Sequence, residues 1–237
     1  MKHMKILLSI LAFLLFACSG ENSAGGNSNN IEEDPSVITA TNVNNSSSLI
    51  ATVKAELYWE TYDPSFNSGY DILAETSYQD NSFVLELPVT PTVHLRSINV
   101  PDDYTVSDKT AKWTNGVIIN AYNKEGNEVG AFSLTGDGIV YWIYVDKDVR
   151  VKGETRGLNE EENKEYIEKF DLDLKEGWNV MYINNSIGEN ESINTFTTKK
   201  TANTNYYWEF KPNDMTSSSA AIIKNNVSAL TFYSIKT

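Results

Sequence analysis

The chain has 237 residues, 41% of them hydrophobic and 11% aromatic, with 19 Lys and Arg against 32 Asp and Glu for a formal charge of -13. That acidity repels phosphate backbones and argues against a nucleic-acid partner or a polybasic membrane patch. A single cysteine excludes an intrachain disulfide, and two histidines leave little for triad or His-metal chemistry.

The first element in chain order is an export signal. Lys2 and Lys5 precede an apolar run, Ile6 through Ala17 broken only by Ser9, that ends on the sole cysteine, Cys18. This run of 12 residues is shorter than the roughly 20 that a helical membrane span needs. Leu15-Phe16-Ala17-Cys18 resembles the bacterial lipobox. The resemblance implies a diacylglyceryl group on the Cys18 thiol, cleavage after Ala17 and acylation of the new amine, so that membrane lipid is the first partner. One acyl chain binds weakly, at about 0.8 kcal/mol per buried CH₂, while two or three hold firmly. The expected location is the bacterial cell envelope, lipid-anchored, with the outer membrane the favoured destination; ordinary secretion is the alternative. Losing residues 1–17 removes Lys2 and Lys5 and no acid, taking the charge from -13 to -15. Residues 18–48 are rich in Asn, Ser and Gly and poor in large apolar groups, and they read as a flexible tether.

From about Ser48 the dominant signal is strand-like alternation. Ala51, Val53, Ala55, Leu57 and Trp59 share one face of a strand over 50–60, opposite Thr52, Lys54, Glu56, Tyr58 and Glu60. Further strands are expected at 71–77, at 83–87 after the Gln79-Asp80-Asn81 turn, and at 93–99. Asn115-Gly116 predicts a tight turn, followed by strands at 117–122 and 128–134. Ile139–Val145 is apolar or aromatic throughout, as in a central strand covered on both faces or one with a ring-rich outer face. A strand at 149–152 follows. Residues 158–169 are the one segment with helical features, an Asn159 cap and Glu162 three residues on, although an acidic loop fits nearly as well. Strands at 170–174, 178–182 (closed by Asn184-Asn185), 195–198, 206–210 and 230–235 complete the set.

About twelve short strands without a βαβ rhythm predict an all-β antiparallel β-sandwich, with a β-barrel second. Residues 49–104 and 105–237 are expected as two packed β modules, or 49–237 as one continuous sandwich. The segment ILAETSYQDNSFVLELP (Ile72–Pro88) resembles the strand-turn-strand of carboxypeptidase-regulatory or transthyretin-like surface modules. IVYWIYVDKDVRVKGE and FDLDLKEGWNVMYIN look like segments of uncharacterised Bacteroidetes-type lipoproteins. Neither resemblance carries a catalytic residue.

Four chemistries are open to these residue types. His94, beside Arg96 on a strand, reads as a solvated or hydrogen-bonded histidine, since His3 leaves with the signal. The acid pairs on one strand face are Glu56/Glu60, about 13 Å apart along the strand, and Asp171/Asp173, about 7 Å apart; the second falls within the range of inverting glycosidases, but any outward i,i+2 pair would. Asp137, Asp146 and Asp148 bound the aromatic strand in turns and are weak calcium candidates, without EF-hand spacing. The 13 tyrosines and 5 tryptophans are the strongest signal. Tyr58, Trp142, Tyr144 and Tyr207 are the candidate ligand-contact rings, because each falls on an apparently polar or unassigned strand face. No cofactor is expected. The expected function is a non-catalytic envelope binding or structural lipoprotein that contacts another envelope protein. A glycan-binding lipoprotein using exposed Trp and Tyr is the alternative, and a carboxylate-dependent hydrolase comes third.

Overall fold

The structure, a computed structural model, describes residues 34–60, 68–92, 95–100, 102–159, 164–202 and 204–213. Within them the chain is all β. The strands are β1 (Val37–Ala40), β2 (Thr52–Glu60), β3 (Ser68–Ser77), β4 (Phe83–Glu86), β5 (Arg96–Ser97), β6 (Tyr104–Val106), β7 (Lys112–Trp113) and β8 (Ile118–Tyr122). They continue as β9 (Glu128–Gly136), β10 (Ile139–Val145), β11 (Val149–Asn159), β12 (Lys164–Leu174), β13 (Gly177–Ile187), β14 (Glu191–Thr197) and β15 (Tyr206–Pro212).

Thirteen strands form one sheet in the order β3-β2-β8-β9-β10-β13-β14-β12-β11-β6, with β15 joined to β9, β7 to β10 and β5 to β7. The pair β1-β4 stands apart as a second layer. All strand pairings are antiparallel except β12 with β14. Among the described residues the path ends at β3 and β6, so the sheet stays open and the fold is sandwich-like rather than a barrel.

Two apolar cores lie along this sheet. The first packs Ile38, Leu85 and Phe83 of the β1-β4 layer onto Val53, Leu57, Ile119, Phe132, Leu134, Trp208 and Phe210. The second gathers Val149, Val151, Phe170, Leu172, Leu174 and Phe196 beneath Ile98, Tyr104, Ala111 and Trp113. Between them β10 and β13 act as a shared wall. Val140, Trp142, Tyr144, Trp178 and Tyr182 face the first core, while Tyr141, Ile143, Val145, Met181 and Ile183 face the second. A strand apolar at every position is what this location requires, because neither of its faces meets water.

Four expectations are corrected. Residues 34–48 join the body instead of the tether: Ile38, Ala40 and Val43 are buried, and the Trp208 indole donates to the Thr39 carbonyl at 3.0 Å. The segment is poor in apolar groups, but those it has alternate, and Asn42 and Asn45 adopt the left-handed conformation (φ 53° and 57°) that turns the chain. Of the segment 158–169, the described residues 158–159 and 164–169 are strand and not helix. β11 and β12 pair without a break from Val149↔Leu174 to Asn159↔Lys164, and its charges serve the hairpin: Arg156 contacts Glu154 at 2.6 Å and Glu165 at 3.2 Å, and Lys169 contacts Glu154 at 3.2 Å.

Asn115-Gly116 makes no tight turn. Thr114 N–H donates to Tyr144 O at 2.9 Å and Val117 N–H to Trp142 O at 2.9 Å, so the chain bulges along β10 instead of reversing. The Asn115 amide instead donates to the Tyr58 carbonyl at 2.8 Å. Gly116 leaves room for the Tyr141 ring, whose edge lies 3.2 Å from where a Cβ would stand. Finally, Asn184-Asn185 does not close its unit, because β13 runs on to Ile187 against β14. The Gln79-to-Ser82 turn forms as expected, with Asp80 and Asn81 both at positive φ (50° and 56°). The strand expected at 230–235 lies outside the described residues.

Candidate binding surface

The four candidate rings separate by depth. Trp142 and Tyr144 are buried in the first core, Trp142 stacked on Trp208 (6.0 Å, 11°) and Tyr144 edge-on to Trp178 at 5.5 Å. Neither can meet a ligand, because the apparently outward face of β10 is covered by the first core. Tyr207 is 44% exposed on β15. Tyr58 is half-buried at a ring distance of 5.5 Å from Tyr70, with the planes tilted by 56°.

Tyr58 and Tyr70 mark a patch that sequence reasoning only half found. Tyr70 faces Tyr58 across the β2-β3 ladder, and Ile72 faces Glu56. Tyr70 is 41% and Ile72 55% exposed, on the outermost strand of the sheet. The missed signal was the start of β3: once the strand begins at Ser68, Tyr70 and Ile72 fall on one face by simple alternation.

Behind these rings lies Glu56, only 4% exposed. Its carboxylate accepts the Asn120 amide at 2.6 Å and the Tyr122 hydroxyl at 2.9 Å. The ladder shifts register between Ala55 and Glu56, a bulge that places Leu73 opposite no partner. Lys54 reaches Glu75 at 3.4 Å and lies 4.5 Å above the Tyr122 ring. Burial, helped by Glu128, Tyr58 and Glu56, holds the Tyr70 hydroxyl above its ordinary pKa. Burial and the Glu56 carboxylate do the same more strongly to Tyr122.

A second buried polar cluster sits at the far end of the second core. Tyr166 donates to the Glu168 carboxylate at 2.8 Å and accepts from the Asn194 amide at 2.8 Å. Burial, with the Glu168 charge beside it, pushes Tyr166 up to about 12.

The other candidates do not converge. Asp137 accepts Asn205 N–H at 3.3 Å, Asp146 accepts Lys112 N–H at 2.7 Å, and Asp148 accepts Glu176 N–H at 2.9 Å. The Glu176 N–H and the Lys175 ammonium hold Asp148 below the usual carboxylate range. Asp137 stands at the opposite end of β10 from the other two, roughly 20 Å away by strand rise. Among the described residues no three His, Cys, Asp or Glu side chains gather for a metal ion. Asp171 pairs with Lys199 at 3.3 Å and Asp173 with Arg150 at 3.3 Å on the solvated face of β12. Cys18 and His94 lie outside the described residues, as does the Glu60 side chain. Comparison with known proteins finds no matching family model, no matching curated protein and no matching solved structure.

Proposed function

We propose that this chain is a lipid-anchored, non-catalytic protein of the cell envelope, held through Cys18, whose body engages another protein along β3. The observation that carries the reading is the edge itself. Among the described residues β3 pairs only with β2, and over its ten residues it presents Tyr70 and Ile72 to solvent. An open edge with exposed apolar side chains is a template for a partner strand, in which main-chain hydrogen bonds give affinity and alternate side chains give specificity. The glycan alternative is less well served, since the 56° tilt between Tyr58 and Tyr70 gives no flat platform for a sugar ring. The ion pairs of Asp171 and Asp173 likewise leave the hydrolase without an obvious acid-base couple.

Two measurements on the full chain in producing cells test the proposal. Cys18→Ala is expected to abolish incorporation of a clickable fatty acid and release the protein from the membrane fraction; an unchanged membrane fraction would remove the anchor. A photo-crosslinking amino acid at position 70 or 72 is expected to give discrete higher-mass protein adducts that the same group at Ile187 does not. Identical patterns from all three positions would remove the contact.

A further inference from the structure

The surface behind β3 carries an unbalanced charge. On the outer face of β2, β3 and the neighbouring strands stand Glu56, Glu75, Glu128 and Glu209, while Lys54 and Lys211 of that face are engaged by Glu75 at 3.4 Å and by Glu209 at 3.3 Å. Glu56 is the unusual member. It is buried, its hydrogen bonds come from the neutral Asn120 and Tyr122, and no Lys or Arg among the described residues stands within ion-pair distance. A buried carboxylate is normally paired with a cation, and Glu56 has only neutral donors beneath the surface above it. Tyr58 and Tyr70 occupy that surface. Tyrosine ring faces attract cations as well, and the Lys54 ammonium 4.5 Å over Tyr122 is an instance on this same face.

The edge is shaped for an extended chain. Ser68 to Ile72 runs unbroken to the bulge at Leu73, and β3 carries neither the lysine nor the proline that commonly guards an edge strand. A second copy of this chain is a poor occupant, because pairing β3 with itself would bring Asp71 and Glu75 of each copy together in a chain already at -13. Resting on the protein-contact reading above, we infer that the β3 edge accepts a basic extended segment of a partner protein. Its main chain extends the sheet, its apolar side chains cover Ile72, and its Lys or Arg side chains lie over Tyr58 and Tyr70 in the field of Glu56 and Glu128.

The test uses the full lipidated chain in detergent micelles and two synthetic ten-residue peptides, one alternating Lys with Val and the other Glu with Val. The Lys peptide is expected to bind at least about tenfold more tightly, with an affinity that falls as salt rises. Ile72→Lys and, independently, Glu128→Lys are each expected to weaken it several-fold, and Ile187→Lys, at a distant exposed site, to leave it unchanged. Both β3-side substitutions fall on exposed side chains, so folding is retained and can be confirmed by circular dichroism. Equal affinity for the two peptides, or equal effects of Ile72→Lys and Ile187→Lys, overturns the inference. If the crosslinks at 70 and 72 persist while the Lys peptide fails to bind, the partner at β3 is not basic and protein contact still stands. If both fail, the contact reading falls with it.

Discussion

Two tryptophans stacked in the first core differ in one hydrogen bond. Trp208 Nε1 donates to the Thr39 carbonyl at 3.0 Å and so fastens β1, whereas Trp142 Nε1 is buried with no partner among the described residues. Truncating either to Phe removes a similar ring volume. Trp208→Phe also removes the hydrogen bond that ties the Thr39 carbonyl to the core, while Trp142→Phe removes an orphan N–H whose burial already carries a penalty of about 1–3 kcal/mol. Urea unfolding should therefore find Trp208→Phe the less stable variant by about 1 kcal/mol or more. The reverse order would show that the Thr39 contact does not hold β1.

The same scale sets the alkaline limit. Tyr166, pushed up to about 12 from an ordinary value of 10.0 by burial and the Glu168 charge, binds its proton more tightly folded than unfolded. Tyr122 and Tyr141 are raised in the same direction, both chiefly by burial. A raised value adds stability that is fully present below pH 10.0 and is lost as pH climbs through about 12. Tyrosinate absorbance from Tyr122, Tyr141 and Tyr166 should thus appear only together with unfolding. Full tyrosinate absorbance reached before the fold is lost would contradict this. None of these environments was legible in the sequence. Alternation puts Glu56 and Tyr122 on a polar face, but it cannot say that neighbouring rings and a bulge close that face over.

At the scale of elements, alternation carried far. The cores of β2, β4, β9, β10, β13 and β15 coincide with the strands expected from the pattern, and local turn chemistry found the β3-β4 and β9-β10 reversals. It failed where pairing over distance overrides local preference. The 158–169 segment has too few apolar residues for a helix face, yet its capping pattern looked helical. Its strand state comes from eleven cross-strand pairs along the β11-β12 hairpin, which a local reading does not count. β11 also has a weak point covered from outside: Gly153 lies under Tyr104 of β6, whose ring comes within 2.7 Å of a Cβ built there. An aromatic laid over a strand glycine shields the exposed backbone and fixes register. Gly153→Ala should force Tyr104 and β6 away and lower stability by about 1–3 kcal/mol, although alanine is ordinarily the better strand residue by propensity alone. Gly157→Ala, with open space around its Cβ, is the matched control and should be neutral or slightly stabilising. Equal effects at the two glycines would mean that β6 yields without loss.

For the whole molecule the question left by the sequence was whether one sandwich or two modules follow the tether. The cores are two, but the wall between them is one, since alternate residues of β10 and β13 serve opposite sides. Separating them would expose Trp142, Tyr144 and Trp178 on one face or Ile143, Val145 and Met181 on the other, so neither half can unfold and leave the other intact. The first core also supports β3, so the proposed binding edge inherits its rigidity from both. Met181→Ala tests this coupling. Met181 is fully buried in the second core, and its truncation should cost about 2–5 kcal/mol. Fluorotryptophan labelling reports the two sides separately, through Trp113 in the second core and Trp208 in the first. In urea both fluorine signals should move to their unfolded positions at the same midpoint, in the wild type and in Met181→Ala alike, with the variant's midpoint lower for both. If Trp208 kept its wild-type midpoint while Trp113 unfolded early, the wall would not couple the cores, and β3 would rest on the first core alone.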